Sequence, residues 1–155
     1  MTLSRYQNLF LRHMFSYGVA LLVVGGQAKR LCQGESGFDL DVWADYSNAA
    51  RPLLLSALSS WVEKHPSHTP PSTLEDLSAH LRNGIQIKFP EYDGVWFLEG
   101  SKEYQVDANS GVDLIIEGGT EPDFAVCADR AKQVLVESGL TVKCLNPEDD
   151  LLLRD

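Results

Sequence analysis

A six-residue apolar run, Val19–Val24, ends abruptly at Gly25-Gly26 and constrains the fold of this chain more than any other feature. A short, continuous apolar run of this kind is typical of a strand buried on both faces. Two glycines let backbone N–H groups approach an anion closely, and a helix predicted from about residue 27 to 32 adds the partial positive charge of its N-terminus. The run therefore predicts a central strand that leads into a candidate phosphate-binding turn, with an ordinary structural turn as the alternative.

The next predicted strand, Phe38–Ala44, contains the D-x-D pattern Asp39-Leu-Asp41, in which two carboxylates occupy alternate positions. Alternate residues of a strand share one face, with their Cβ atoms about 7 Å apart. Hard oxygen ligands at this spacing suit one or two magnesium ions, which take few protein ligands and complete their shell with water and phosphate. The pattern predicts a metal-binding pair, and a solvated strand face is the alternative.

A third carboxylate, Asp113, interrupts the strongly apolar strand predicted over Val112–Glu117. A charged residue in so apolar a run is expected to face solvent, a partner or a metal ion. Asp107 is the alternative third carboxylate, but it is followed by Ala108-Asn-Ser-Gly111, which indicates a turn. We therefore predict that Asp113 joins Asp39 and Asp41.

The spacing of apolar residues in the rest of the chain predicts further helices and strands around these segments. Helices are expected at residues 3–17, 47–63, 72–82 and 122–138 and from Pro147 onward, and strands at 85–89, 95–98, 104–106 and 140–145. Strands that follow one another so closely favour a mixed or antiparallel sheet over a doubly wound parallel one. The expectation is a single α+β domain over residues 1–155, a length that suits one hydrophobic core.

Net charge, the length of the apolar runs and the cysteine pattern indicate which kinds of partner and which cellular compartment to expect. The formal charge is −9, from 13 basic and 22 acidic residues, which argues against bulk binding of DNA or RNA. A nucleotide that arrives with its own magnesium stays compatible with this charge.

The apolar runs are too short to span a bilayer, which needs about 20 residues. The three cysteines, Cys32, Cys127 and Cys144, include no C-x-x-C pair and predict free thiols in a reducing, cytoplasmic setting.

The combination of these motifs resembles the nucleotidyltransferase superfamily, whose fold is similar to the palm of DNA polymerase β. A Gly-Gly strand exit, a short helix, a D-x-D strand and a later strand with a lone aspartate follow one another as in that superfamily. The Gly-Gly form most resembles the bacterial group that includes toxins of type IV abortive-infection toxin–antitoxin systems. The group's "VDLL"-like strand, "G-x-x-V" strand and "PEDLLLLK"-like helix resemble Gly111–Ile115, Gly139–Val142 and Pro147–Arg154.

Two positions depart from the pattern of this group. Many of its members carry a threonine two residues before the D-x-D motif, where this chain has Gly37. The lysine of the final motif is replaced by Arg154, which keeps the charge but not the amine.

The resemblance implies transfer of a nucleoside monophosphate from an NTP to an acceptor, with release of pyrophosphate. Gly25 and Gly26 would bind the β and γ phosphates, and Asp39, Asp41 and Asp113 would bind two magnesium ions. Asp113 would also accept the acceptor's proton. The acceptor could be a small molecule, a protein or an RNA end.

The alternative is a non-catalytic nucleotide- or partner-binding module on the same fold, for example half of a toxin–antitoxin pair. A homodimer or a complex with a partner protein is compatible with either function.

Overall fold

The computed structural model describes residues 3–33, 39–64, 84–89, 97–98, 111–117 and 123–149. Within these ranges the helices are α1 (Arg5–Ser16), α2 (Gly25–Cys32), α3 (Arg51–Lys64) and α4 (Phe124–Arg130). The strands are β1 (Leu21–Val23), β2 (Leu40–Ala44), β3 (Ile85–Phe89), β4 (Phe97–Leu98), β5 (Val112–Ile116), β6 (Lys132–Glu137) and β7 (Leu140–Cys144). A 3-10 helix covers Pro147–Asp149.

The seven strands form one sheet in the order β4-β3-β5-β2-β1-β7-β6. The β2–β5 and β1–β7 pairs are parallel, and the other four pairs are antiparallel. The expected α+β class with a mixed sheet flanked by helices is confirmed. This architecture is compatible with a nucleotidyltransferase fold but is not specific to it.

Helices α1, α2 and α3 pack against one face of the sheet, which we call the first face. Their buried apolar side chains form a single cluster with alternate residues of the strands. Trp61 of α3 lies edge-on to Tyr6 and Phe10 of α1, with ring centroids 5.6 and 5.1 Å apart. Such edge-to-face pairs stabilise the packing beyond the burial of their area. The first face is therefore the main hydrophobic core.

Helix α4 packs on the opposite, second face of the sheet. A smaller cluster there joins Leu22, Val24, Trp43, Cys127 and Leu145. The Trp43 ring lies edge-on to Phe124 of α4 at 5.1 Å. Its indole Nε1 donates to the backbone oxygen of Glu117 at 2.8 Å, so the one polar atom of this fully buried side chain is satisfied. Trp43 thus connects β2 to α4 and to the end of β5.

The helix predicted over residues 122–138 is wrong in its second half. Only α4 is helical; Ala131 is extended, with φ −69° and ψ 148°, and β6 follows. Strand β6 pairs antiparallel with β7 through a tight turn in which Gly139 has φ +76°, a conformation that glycine adopts without strain. Val136 of β6 is buried in the first-face core. Pairing with β7 and this burial together outweigh the helical pattern within the segment.

Two helices begin at other residues than expected. Helix α2 begins at Gly25 rather than after the two glycines, and α3 begins at Arg51, with Pro52 in its first turn, where proline is tolerated. Of the strand predicted at 95–98, residues 97–98 form β4, and residues 95–96 lie outside the described residues. The predicted helix at 72–82, the strand at 104–106 and Asp107 lie outside the described residues.

No helix in the described part of the chain is both long and apolar enough to cross a membrane.

Candidate active site

The sheet topology places three predicted segments at one end of the sheet. Strand β1 ends there and continues into α2. Strand β2 is antiparallel to β1 and β5 is parallel to β2, so both begin at the same end. The backbone N–H of Val24 donates to the oxygen of Asp41 at 3.0 Å, which places the start of β2 directly beside the start of α2. The Gly-Gly segment, Asp41 and Asp113 therefore lie at one end of three neighbouring strands.

Asp41 and Asp113 are direct register partners in the parallel β2–β5 pair. Each is half-buried, and each lies between neighbours whose side chains belong to the first-face core. Because side chains alternate along a strand, both aspartates project from the second face. Neighbouring strands lie about 4.8 Å apart. Two carboxylates are thus presented side by side on the face opposite the main core.

Asp39 lies immediately before β2 and contacts the segment that leads into β5. Its Oδ1 accepts a hydrogen bond from the backbone N–H of Gly111 at 3.3 Å. The N–H of Leu40 donates to the Gly111 oxygen at 3.0 Å, so the starts of the two strands are joined twice. The third predicted carboxylate is therefore at the same end as the other two, with one oxygen directed at the β5 backbone.

Gln7 of α1 supports this end of the sheet and was missed by the sequence interpretation. Its Oε1 accepts from the N–H of Ser4 at 3.0 Å, completing a capping box at the start of α1. Its Nε2 donates to the Gly111 oxygen at 3.0 Å in a buried contact. The Ser-x-x-Gln pattern could have revealed the cap from sequence. The contact with Gly111 spans 104 positions of the chain and is visible only in the fold.

The start of α2 presents backbone donors at this end of the sheet. The N-cap residue, Val24, is extended, and its side chain makes no capping hydrogen bond. The first N–H groups of a helix have no partner within the helix, and they carry the positive end of its dipole. Lys29 and Arg30 lie exposed in the last turn of α2.

Arg130 is a cation near this end that the sequence interpretation did not select. Its Nη2 lies 2.9 Å from Oδ1 of Asp149, whose side chain is 6% exposed while that of Arg130 is 49% exposed. The other carboxylate oxygen, Oδ2, is buried and has no hydrogen-bond partner. Burial, and then the Asp149 charge, raise the pKa of the neighbouring Cys127 thiol. Asp149 therefore orients a half-exposed guanidinium one helical turn beyond Cys127.

Trp43 cannot stack on a base in this structure. It lies two residues after Asp41 in β2. The side chain is fully buried against α4 and its ring nitrogen is hydrogen-bonded. Core packing is therefore its role.

The donor chemistry of the three aspartates suits magnesium, but their side chains are not arranged around one point. Among the described residues, no three His, Cys, Asp or Glu side chains form a group that could hold a metal ion as they stand. Carboxylate oxygens are the ligands that magnesium prefers. Binding would require the side chains of Asp39, Asp41 and Asp113 to turn toward a common centre.

An apolar cavity of about 240 Å³ lies elsewhere, beside the start of β1. Its lining consists of Phe15, Val19, Ala20, Leu21, Phe124, Ala128, Thr141 and Lys143. None of the three aspartates contributes to it. The cavity is therefore separate from the candidate site.

No protein-family model, curated protein or solved structure matches this chain.

Proposed function

We propose that this protein is a magnesium-dependent nucleotidyltransferase that moves a nucleoside monophosphate from an NTP to an acceptor and releases pyrophosphate. One observation carries the proposal: Asp41 pairs with Asp113 across two parallel strands, and the backbone oxygen of Asp41 accepts from the N–H of Val24, the N-cap residue of α2. Acidic side chains next to the N-terminus of a helix support phosphoryl transfer, because they can hold a cation while the helix N–H groups bind phosphate. The acceptor could be a small molecule, a protein or an RNA end.

The residues of the chain take separate tasks in this proposal. The N–H groups of Gly25 and Gly26 bind the β and γ phosphates at the start of α2. Asp39 and Asp41 would hold the magnesium ion of the triphosphate, and Asp113 accepts the proton of the attacking hydroxyl. Magnesium bound by these residues would neutralise the charge on the attacking and leaving oxygens.

A second function, a nucleotide- or partner-binding module without catalysis, is favoured by a different observation. The described part of the chain contains no ready-made group of metal-binding side chains. A binder needs the helix N-terminus for phosphate but does not need three convergent carboxylates.

One experiment separates the two functions. The protein is incubated with α-labelled NTPs, Mg²⁺ and cell extract, and both pyrophosphate release and label transfer are measured, alongside thermal unfolding with Mg²⁺-NTP. The transferase releases pyrophosphate and labels an acceptor. Thermal stabilisation without pyrophosphate in the presence of extract would establish the binding module instead.

Binding of Mg²⁺-NTP is expected to depend on both carboxylates of the D-x-D motif. Asp39→Ala or Asp41→Ala removes a hard oxygen ligand, so calorimetry should show affinity reduced by at least about tenfold, equivalent to about 1.4 kcal/mol. Asp129→Ala is the matched control because Asp129 lies exposed on α4. Unchanged affinity in Asp41→Ala would remove this residue from the site.

A side chain at position 26 is expected to abolish nucleotide binding because it blocks phosphate from the backbone N–H groups, and not because it strains the backbone. It lies in the first turn of α2, where valine is no worse a helix former than glycine. Gly26→Val should therefore unfold at the same temperature as the wild type or higher, yet lose nucleotide affinity because its branched Cβ blocks the N–H groups. Gly26→Ala should lose less. Normal NTP binding by Gly26→Val would show that the Gly-Gly segment is only structural.

A further inference from the structure

The cavity of about 240 Å³ beside the start of β1 combines an apolar lining with a single charged group. Six of its eight lining residues are apolar, and the other two are Thr141 and Lys143. No acidic side chain contributes to this lining, which belongs wholly to the described part of the chain. Cavities that bind small molecules share this design, in which apolar walls carry a few polar groups that orient the ligand.

Thr141 and Lys143 project from the second face of the sheet. Both lie in β7, where they alternate with Leu140, Val142 and Cys144, whose side chains belong to the first-face core. Because successive side chains of a strand point to opposite faces, the two polar residues share the face on which α4 packs. Both residues are exposed, so this side of the cavity is open to solvent.

Helix α4 forms a second wall of the cavity. Phe124 and Ala128 are four residues apart, lie on one side of this helix and both line the cavity. The Phe124 ring packs edge-on against Trp43 at 5.1 Å, whereas Ala128 presents only a methyl group. The space beside Ala128 is therefore left open, while the packing of Phe124 on Trp43 holds α4 in place.

The charge of Lys143 is not neutralised by a neighbouring group. Within the residues that the structure describes, its ammonium forms no ion pair, and the Thr141 hydroxyl forms no hydrogen bond. The register partners of Lys143, which are Leu22 of β1 and Gln133 of β6, are uncharged. The apolar stem of a lysine can lie along a wall while its ammonium stays at the rim. A ligand with an apolar body and a negative group at one end would match both parts.

We propose that this cavity binds a small apolar carboxylate, such as an aromatic acid with a single ring. The ring packs against the apolar walls, and the carboxylate accepts from the Lys143 ammonium and the Thr141 hydroxyl in a charge-assisted contact. Pockets for drug-sized ligands measure about 300–1,000 Å³, so this smaller volume favours a single ring or a short chain over a nucleotide. The cavity lies at the start of β1 and the Gly-Gly segment follows its end, so binding here requires no nucleotide.

Benzoate is the probe, and amide chemical shifts of the full chain, measured by heteronuclear NMR during a titration, report its binding. A ligand of this size is expected to bind with a Kd on the order of 1 mM. The shifts should saturate and should centre on Ala20, Ala128, Thr141 and Lys143. Benzamide has the same shape without the charge, so its Kd should be at least about threefold higher.

Lys143→Gln removes the charge but keeps most of the stem. It should raise the Kd for benzoate about three- to fivefold and leave the Kd for benzamide unchanged. Lys132→Gln is the matched control, because Lys132 is exposed on the neighbouring strand β6 and its register partner Cys144 belongs to the first-face core. It makes the same change in net charge on the other face, and should alter the benzoate Kd by less than about 1.5-fold because salt screens distant charges.

Ala20→Leu and Ala128→Leu test whether the cavity itself holds the ligand. Both alanines line the cavity, so a leucine side chain at either position occupies part of its volume and should abolish the benzoate shifts. Ala20 is exposed just before β1. Ala20→Leu is therefore expected to fold even if overpacking under α4 unfolds Ala128→Leu.

Several outcomes would overturn the proposal. One is the absence of saturable shifts with benzoate at about 20 mM, about twenty times the expected Kd. Equal binding of benzamide, an effect of Lys132→Gln as large as that of Lys143→Gln, or undiminished binding in Ala20→Leu would each reject it. Shifts centred on Gly25 and Gly26 would place the anion at the start of α2 instead.

Discussion

Asp113→Asn is expected to abolish nucleotide transfer while nucleotide binding and the fold survive. Asparagine keeps the size and most of the hydrogen-bonding capacity of aspartate but removes the charge that a proton acceptor or metal ligand needs. The loss of a general base alone reduces the rate by about 10²–10⁴-fold. Label transfer from NTP to the acceptor in cell extract measures the rate, and calorimetry with Mg²⁺-NTP measures binding.

Two controls make the result specific to Asp113. Asp129→Asn makes the same chemical change at an exposed position of α4 and should alter the rate by no more than about twofold, the scatter expected of surface substitutions. Asp107→Asn tests the alternative third carboxylate and should leave both transfer and binding nearly intact. If Asp107→Asn abolishes transfer and Asp113→Asn does not, the assignment of the third carboxylate is reversed.

Trp43→Ala is expected to lower the free energy of unfolding by about 3–5 kcal/mol, the usual cost of removing a large buried aromatic side chain. Trp43 is fully buried, packs edge-on against Phe124 and donates to the Glu117 oxygen. Its loss leaves a void between β2 and α4 and an unpaired backbone acceptor at the end of β5. Urea unfolding followed by circular dichroism measures the change.

Trp43→Phe separates packing from nucleotide contact. It keeps an aromatic ring but cannot donate to Glu117, so a smaller destabilisation of about 1–3 kcal/mol is expected. Because the indole is buried, nucleotide affinity should stay within about twofold of the wild type. A large loss of affinity in a well-folded Trp43→Phe protein would mean that the ring contacts the nucleotide.

The pattern of apolar and polar residues was sufficient to predict those elements whose own residues show the periodicity of a strand. The short apolar run predicted β1, the alternation of Asp39, Leu40 and Asp41 predicted β2, and the apolar segment around Asp113 predicted β5. Close spacing of strands predicted the mixed sheet. In each case, side-chain periodicity and strand length are properties of neighbouring residues, so they can be interpreted without knowledge of the fold.

The pattern within one segment was misleading where contacts outside that segment decide the conformation. Residues 132–137 continue a helical pattern, yet they form β6 because β7 lies next to them across the Gly139 turn. The two glycines were expected ahead of α2 but lie in its first turn. The hydrogen bond from Gln7 to Gly111 and the Arg130–Asp149 pair have no counterpart in local sequence.

Local sequence was enough to select the residues that can carry the chemistry, namely three aspartates and a Gly-Gly segment. Which of these residues lie together depends on the fold. The parallel register of β2 and β5 sets Asp41 beside Asp113, and the hydrogen bond from the Val24 N–H to the Asp41 oxygen sets the start of α2 beside the start of β2. Strand register and helix packing depend on burying apolar faces from distant parts of the chain, a cooperative choice that no local window contains.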